Sequence, residues 1–400
     1  MKRPNVLIIG NYPPPYGGVP HHIERLAGHL VENGWICHVL SGGASGYETD
    51  GKLHVYKPNY SIKATAILRQ LFGKSLHYWL RPRALIFSET KLWIRYLIYA
   101  SVGEEIIRKN DIQVIVTYNV LSYGPVGSYL SEKFDIPHII NIFGEVYKHQ
   151  SMLKCRKFFS GILSSSCCLL SCSSHCGNSI KKLGVNQAVE TVTYGINTNH
   201  FRPGVCENLR KYLKIGNEKV VLFVGRLSKE MGLDSFMAAA QLNTTQFPTV
   251  RFIMVGQPGD LLDEVKQQCK ALSGQFLIIT SVPYVDLPYY YRLASVVVVP
   301  SRGDRTCSSL AAMEAMATRK AVVGYAIGGI PEIILNEVNG LLVEPENVQD
   351  LARAISRLLQ DENLSDRLAH SAYLQAQSVF DENLVNIKME QHILKALNNA

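Results

Sequence analysis

The sequence predicts an α/β protein built from two doubly wound, Rossmann-like domains. Three observations predict it. Short apolar runs alternate with helical stretches along the chain. The alternation comes as two series, one opening at Val6 and the other after Lys219. A polar stretch at 201–218, holding Pro203 and Gly204, separates them. Alternating strands and helices imply parallel sheets covered by helices.

The first series opens with the apolar run 6–9, as expected of a strand buried on both faces. The turn Pro13-Pro14-Pro15-Tyr16-Gly17-Gly18 follows. A helix over 22–31 then places Ile23, Leu26, Ala27 and Leu30 on one face. Asn33-Gly34 ends it, and 35–40 is the next strand. Further strands are expected at 114–117, 138–142, 167–172 and 189–194. The second series places them at 220–224, 252–255, 276–279, 296–300, 321–324 and 340–343, with helices at 234–240 and 308–317.

At 400 residues the chain exceeds one ordinary domain, and 47% apolar content excludes a disordered chain. The 41 basic against 33 acidic residues leave a net charge of +8, which suits anionic ligands. The run 6–9 is too short for a secretory h-region, and no apolar stretch of spanning length is free of charge. A cytoplasmic protein is expected, with its cysteines reduced. Nucleic-acid binding is disfavoured, because the charge is local and no recognised module accompanies it. The stretch 61–100 carries seven basic residues, Lys63 to Arg95, against Glu89 alone, interleaved with Trp79, Trp93, Tyr96 and leucines. It reads either as a face for the inner side of an anionic membrane or as ordinary helices packed on the first domain.

Four places carry chemistry. Gly17 and Gly18, between a strand and a helix, let the backbone approach an anion, or simply make a turn. Gly225 and Arg226 end the strand 220–224, where an open α/β sheet binds ligands. The loop from Arg302 to Cys307 leads into a helix whose start, near Ser308 and Ser309, forms a second anion site. Glu314 lies in that helix among alanines, as a ligand or as a buried, hydrogen-bonded structural carboxylate. Gly328 and Gly329 open a further turn ahead of Pro331. His21 and His22 begin the first helix, open to ligand or to solvent. The cluster Cys167, Cys168, Cys172, His175 and Cys176 has no usual zinc spacing and sits largely in a strand, so no metal site is expected.

The order of these pieces resembles the family-4 glycosyltransferases of the two-domain GT-B fold. It rests on Gly17-Gly18-Val19, on Tyr194-Gly195-Ile196-Asn197 through Arg202-Pro203, and on Val224-Gly225-Arg226-Leu227. Pro300-Ser301 with Glu314-Ala315, Gly328-Gly329-Ile330-Pro331-Glu332 and Asn339-Gly340-Leu341 complete it. The resemblance implies two facing Rossmann-like domains with the active site in the cleft between them. Residues 1–203 would be the acceptor-side domain, 204–217 a linker, 218–379 the nucleotide-sugar domain, and 380–400 a helix crossing back. It implies retaining transfer from a nucleotide sugar to a saccharide or lipid-linked acceptor, in polysaccharide or glycolipid assembly, with no cofactor.

By the same resemblance, Glu314 would hold the donor ribose. Arg226 and the N–H groups from Cys307 through Ser308 and Ser309 to Leu310 would face the diphosphate, with Gly17, Gly18, Gly225, Gly328 and Gly329 admitting it. The chain departs from the family at four places. Met231 replaces the usual lysine, for which Lys229 would substitute. Thr306 replaces the first glutamate, with Asp304 close by. Phe143 stands where a histidine is common, leaving Glu145 to contact sugar or acceptor, and Arg319 replaces a glycine. Two other readings compete: a non-catalytic nucleotide-binding subunit, and a sugar-nucleotide epimerase.

Overall fold

The structure, a computed structural model, describes residues 4–13, 18–58, 70, 76–82, 89–146, 150–272, 274–303 and 306–399. Contacts divide the chain into two units, one of Met1–Thr193 with Val385–Ala400 and one of Tyr194–Leu384.

The first unit is an eight-stranded sheet. Its strands are β1 (Asn5–Ile9), β2 (Ile36–Leu40), β3 (Gly46–Asp50), β4 (Leu53–Lys57), β5 (Ile112–Tyr118), β6 (His138–Ile142), β7 (Cys168–Ser171) and β8 (Glu190–Thr191). They lie in the order β3-β4-β2-β1-β5-β6-β7-β8, and β3 alone runs antiparallel. Val6–Ile9 is wholly buried, as a central parallel strand covered on both faces must be. Helices α1 (Gly18–Glu32), α2 (Thr90–Lys109) and α3 (Val120–Phe134) cover the sheet. The edge pair β3–β4 has no strong apolar run and is not foreseen in the sequence.

Part of the basic stretch 61–100 lies outside the described residues. In the described part, Tyr78, Trp79, Tyr96 and Leu97 are buried in the core, and Leu76 and Leu80 are exposed. Trp79 Nε1 donates to Gln70 at 3.1 Å, and Gln70 donates to the buried Glu104 at 2.8 Å. Tyr129 and Lys133 each reach the same carboxylate at 2.7 Å. Burial alone would push Glu104 up, but Lys133, Gln70 and Tyr129 together hold it below the usual carboxylate range. These aromatic rings are therefore core side chains with polar handles.

The second unit is a six-stranded, all-parallel sheet of β9 (Val220–Val224), β10 (Arg251–Gly256), β11 (Phe276–Thr280), β12 (Val296–Val299), β13 (Ala321–Tyr325) and β14 (Leu341–Val343). Their order is β11-β10-β9-β12-β13-β14. Separate apolar clusters pack on its two faces, which explains the unbroken valines of β12. The principal helices are α4 (Leu233–Thr244), α5 (Leu310–Ala317) and α6 (Val348–Gln360). Residues 194–201 group with this unit, because Ile196 N donates to Phe380 O at 2.8 Å and Phe201 is fully buried. The stretch 204–217, expected as a linker, also lies in this unit and carries the helix Glu207–Tyr212.

Residues Val385–Ala400, most of helix α7 (Glu382–Asn398), group with the first unit. Within that unit Glu390 accepts from Trp35 Nε1 at 2.7 Å and from Asn33 Nδ2 at 3.1 Å, and lies 2.9 Å from His29 Nε2. Among the described residues no helix is long and apolar enough to cross a membrane.

Gly232 combines a left-handed backbone with a close backbone approach. Its φ is +75°, and a Cβ there would sit 1.8 Å from the Pro300 carbonyl oxygen. The loop after β9 thus lies directly on the end of β12. We expect Gly232→Ala to cost roughly 2–4 kcal/mol, from left-handed strain plus a backbone clash. Gly28, inside α1 with nothing within 4 Å of an added Cβ, is the control. Gly28→Ala should gain about 0.5–1 kcal/mol. Thermal unfolding of the two variants checks both signs.

Candidate functional site

Each doubly wound sheet has one place where its strand order reverses, and ligands of such sheets bind outside the strand ends there. In the second unit that place lies between β9 and β12, which are paired neighbours. Arg226 and Lys229 stand on the loop after β9, and both are exposed. Among the described residues neither side chain pairs with a carboxylate. The loop itself is held by its backbone. Leu227 N donates to Gln257 O at 2.9 Å, and Lys229 N donates to Asp260 at 3.1 Å.

The loop after β12 is bolted to this one. Arg302 N donates to Glu230 O at 3.0 Å. The Arg302 guanidinium reaches Asp234 at 2.8 Å and Ser235 Oγ at 2.7 Å, both at the start of α4. Arg302 therefore positions the loop. In the sequence it is one arginine of a polar loop, and nothing in its spacing points to Asp234.

Helix α5 starts at Leu310, with Ser309 as its N-cap accepting from Ala312 N at 3.2 Å. The N–H groups of Leu310 and Ala311 have no acceptor within the helix, and the helix dipole adds positive potential there. Cys307 is buried, and Ser308 and Thr306 are half-buried. Gly329 N donates to Thr306 O at 2.8 Å. Gly328 has φ +61°, and a Cβ there would meet that same oxygen at 2.2 Å. The close approach that this glycine pair permits is thus made to the Thr306 carbonyl. Asp304 lies outside the described residues.

Glu314 is 6% exposed and accepts a hydrogen bond from the Tyr291 hydroxyl at 2.7 Å. Burial, and then the nearby carboxylate, push the Tyr291 phenol well above its usual range, so it stays a donor. Tyr291 lies 23 residues upstream, and no sequence period links the two.

In the first unit the strand order reverses between β1 and β5. Gly18 is the first residue of α1, and Gly17 lies outside the described residues. Asn119, with φ 85°, caps α3 by accepting from Ser122 N at 2.8 Å. Glu145 follows β6. Its two oxygens accept from Val120 N at 2.7 Å and from Phe143 N at 2.9 Å. Burial pushes its carboxyl up to about 7, against the pull of those two N–H groups. Glu145 thus ties the end of β5 to the end of β6. Phe143 stacks on Tyr118 at 6.1 Å, and His22 meets the edge of Tyr118 at 5.6 Å. His22 is buried and pushed down to about 4 by burial and then by Arg25, so it is neutral at pH 7. His21 lies 3.1 Å from Glu24.

Among the described residues of the first unit, Cys168, Glu190 and His392 bring ligand atoms within 4.8 Å of one another. Burial and then Glu190 push the Cys168 thiol up to about 11, and Lys395 stands 3.6 Å from Glu190.

Residues 206–375 match the family "Glycosyl transferases group 1". The matched residues lie within the second unit. An uncharacterized glycosyltransferase of Methanocaldococcus jannaschii is 26% identical over 369 residues, 92% of this chain and 91% of that protein. D-inositol 3-phosphate glycosyltransferase 1 of Catenulispora acidiphila is 32% identical over 186 residues, 44% of each chain. Sucrose-phosphate synthase from Thermosynechococcus elongatus superposes with a TM-score of 0.79 at 20% identity, over 100% of both chains. Anabaena HepE, solved in complex with UDP, gives 0.74 at 17% identity over 98% of this chain and 100% of that one. The fold is GT-B, with two Rossmann-like sheets.

The Glu145 carboxyl carries a pH signature. Its folded-state value of about 7 lies above the ordinary value of 4.5. Its contribution to stability is therefore full below the lower value and is lost as pH rises through the upper one. Compared with Glu145→Gln, the wild type should lose on the order of 2 kcal/mol between about pH 5 and about pH 8. Urea unfolding of both proteins at the two pH values measures the difference. Parallel pH dependence in the two would show that Glu145 titrates normally.

Proposed function

We propose that the protein transfers a sugar from a nucleotide-sugar donor to an acceptor hydroxyl with retention of configuration, in polysaccharide or glycolipid assembly. One observation carries this reading. Two cations without acidic partners among the described residues, Arg226 and Lys229, stand on the β9 loop. That loop is bolted to the β12 loop at the strand reversal, inside the segment matching the glycosyltransferase family. HepE, of like fold, is solved with UDP and with UDP-glucose, which supports a nucleotide-sugar donor.

The chemistry follows from charge. As the glycosidic bond breaks, negative charge develops on the leaving diphosphate. The N–H groups from Cys307 to Leu310 stabilise that charge without reorganising, and Arg226 and Lys229 reach it from a loop whose backbone is already held. Glu314, held by Tyr291, takes the donor ribose, and Thr306 and Gly329 keep the loop in place. Gly225, at the end of β9, leaves room for the phosphates. The first unit binds the acceptor. A lipid-linked acceptor suits the basic stretch 61–100, where Arg81 and Lys91 are exposed.

A panel of nucleotide sugars, with and without a crude lipid extract, tests the reading by release of nucleoside diphosphate. One donor should be turned over, faster with lipid. Arg226→Ala should lower kcat about 10²–10³-fold, the scale of losing one fixed donor at a developing anion. Glu314→Ala should abolish measurable release. Equal release in wild type and both variants, or none from any donor, would sink the reading.

A further inference from the structure

We propose that the second unit carries a groove for a neutral oligosaccharide, built on the helices Glu207–Tyr212 and Leu287–Leu293. The groove encloses about 560 Å³, within the range of small-ligand pockets. None of its lining residues belongs to the loops after β9 or β12. It is therefore separate from the donor site proposed above.

The lining identifies the ligand. Tyr212, Tyr289 and Tyr290 line the groove, and Tyr212 and Tyr289 are 79% and 43% exposed. Val205, 74% exposed, adds apolar surface to the same groove. Arg292 lies 5.1 Å over the Tyr289 ring and steadies it. Aromatic faces are electron-rich, and the C–H faces of a pyranose carry the complementary partial charge. Glu207, Asn208 and Asp286 line the same groove. Carboxylates and amides have the paired acceptor geometry that adjacent sugar hydroxyls satisfy.

Charge decides between ligand classes. The lining holds two carboxylates and no lysine or arginine. Neither Glu207 nor Asp286 pairs with a cation among the described residues. Two carboxylates against the Arg292 guanidinium at the Tyr289 ring leave an acidic excess that disfavours phosphates, nucleotides, acidic lipids and acidic glycans. Burial, and then Asp286 and Tyr212, hold the Tyr290 phenol protonated, so it can donate to a hydroxyl oxygen. An uncharged, hydroxyl-rich ligand with flat apolar faces fits all of these groups at once.

The test is binding to a printed array of neutral and acidic oligosaccharides, comparing wild type with the double variant Tyr212→Ala/Tyr289→Ala. Both rings are exposed, so the variant should melt with the wild type. Neutral oligosaccharides should be retained, and the variant should bind them at least about tenfold more weakly. No retention of any neutral glycan overturns the proposal, as does retention only of acidic glycans or retention unchanged in the variant. Sedimentation of both proteins covers the remaining occupant. A wild-type dimer that becomes monomeric in the variant, without glycan binding, would assign the groove to a second copy of the chain. The array needs no turnover, so its failure is distinct from failure of the transfer reading.

Discussion

The contact between the loops after β9 and β12 is the constraint on which the candidate donor site depends. Two strands adjacent in the sheet are far apart in sequence, and their helices leave in opposite directions. That divergence opens a crevice but does not shape it. Gly232 lying on the Pro300 carbonyl, and Arg302 reaching Asp234 and Ser235, make one rigid body of two loops. The exposed Arg226 and Lys229 inherit their positions from that body. A held backbone limits how far each cation must move to meet developing charge, which lowers the cost of reorganisation.

Three carboxylates, two buried and one half-buried, show how environment assigns a role. Glu104 is surrounded by an ammonium, an amide and a phenol, and serves the first core as a charged anchor. Glu145 accepts two backbone N–H bonds at strand ends, yet its burial raises it to near neutrality. Glu314 faces one phenol, Tyr291, on a helix otherwise made of small and apolar residues. The same side chain is thus an anchor, a bracket and a candidate ligand, according to its donors.

The buried parallel strands were legible from apolar runs, because a sheet covered on both faces demands them; the edge pair β3–β4, with its exposed β3, was not. Arg226 and Glu314 were also legible, the first because it follows a buried strand, the second because a carboxylate among alanines needs a reason. The glycine pair 328–329 was visible, but not its contact, since proximity to Thr306 is a property of two loops. Tyr291, Arg302 and the Asp234–Ser235 pair were invisible for the same reason. The interleaved aromatics of 61–100 pointed equally to a membrane and to a core. In the described part, hydrogen bonds from Trp79 to Gln70 and onward to Glu104 put the rings inside.

By itself the sequence determined the α/β class, the two series of strands, and the residue types at strand ends and helix starts. These depend on local periodicity and on which groups a buried backbone can tolerate. The tertiary structure alone decided strand order, and with it where each sheet reverses. It also decided which loops touch, which carboxylate has which donor, and where exposed tyrosines gather into a groove. Those are relations between residues distant in the chain, set by packing and hydrogen-bond geometry that no local pattern encodes.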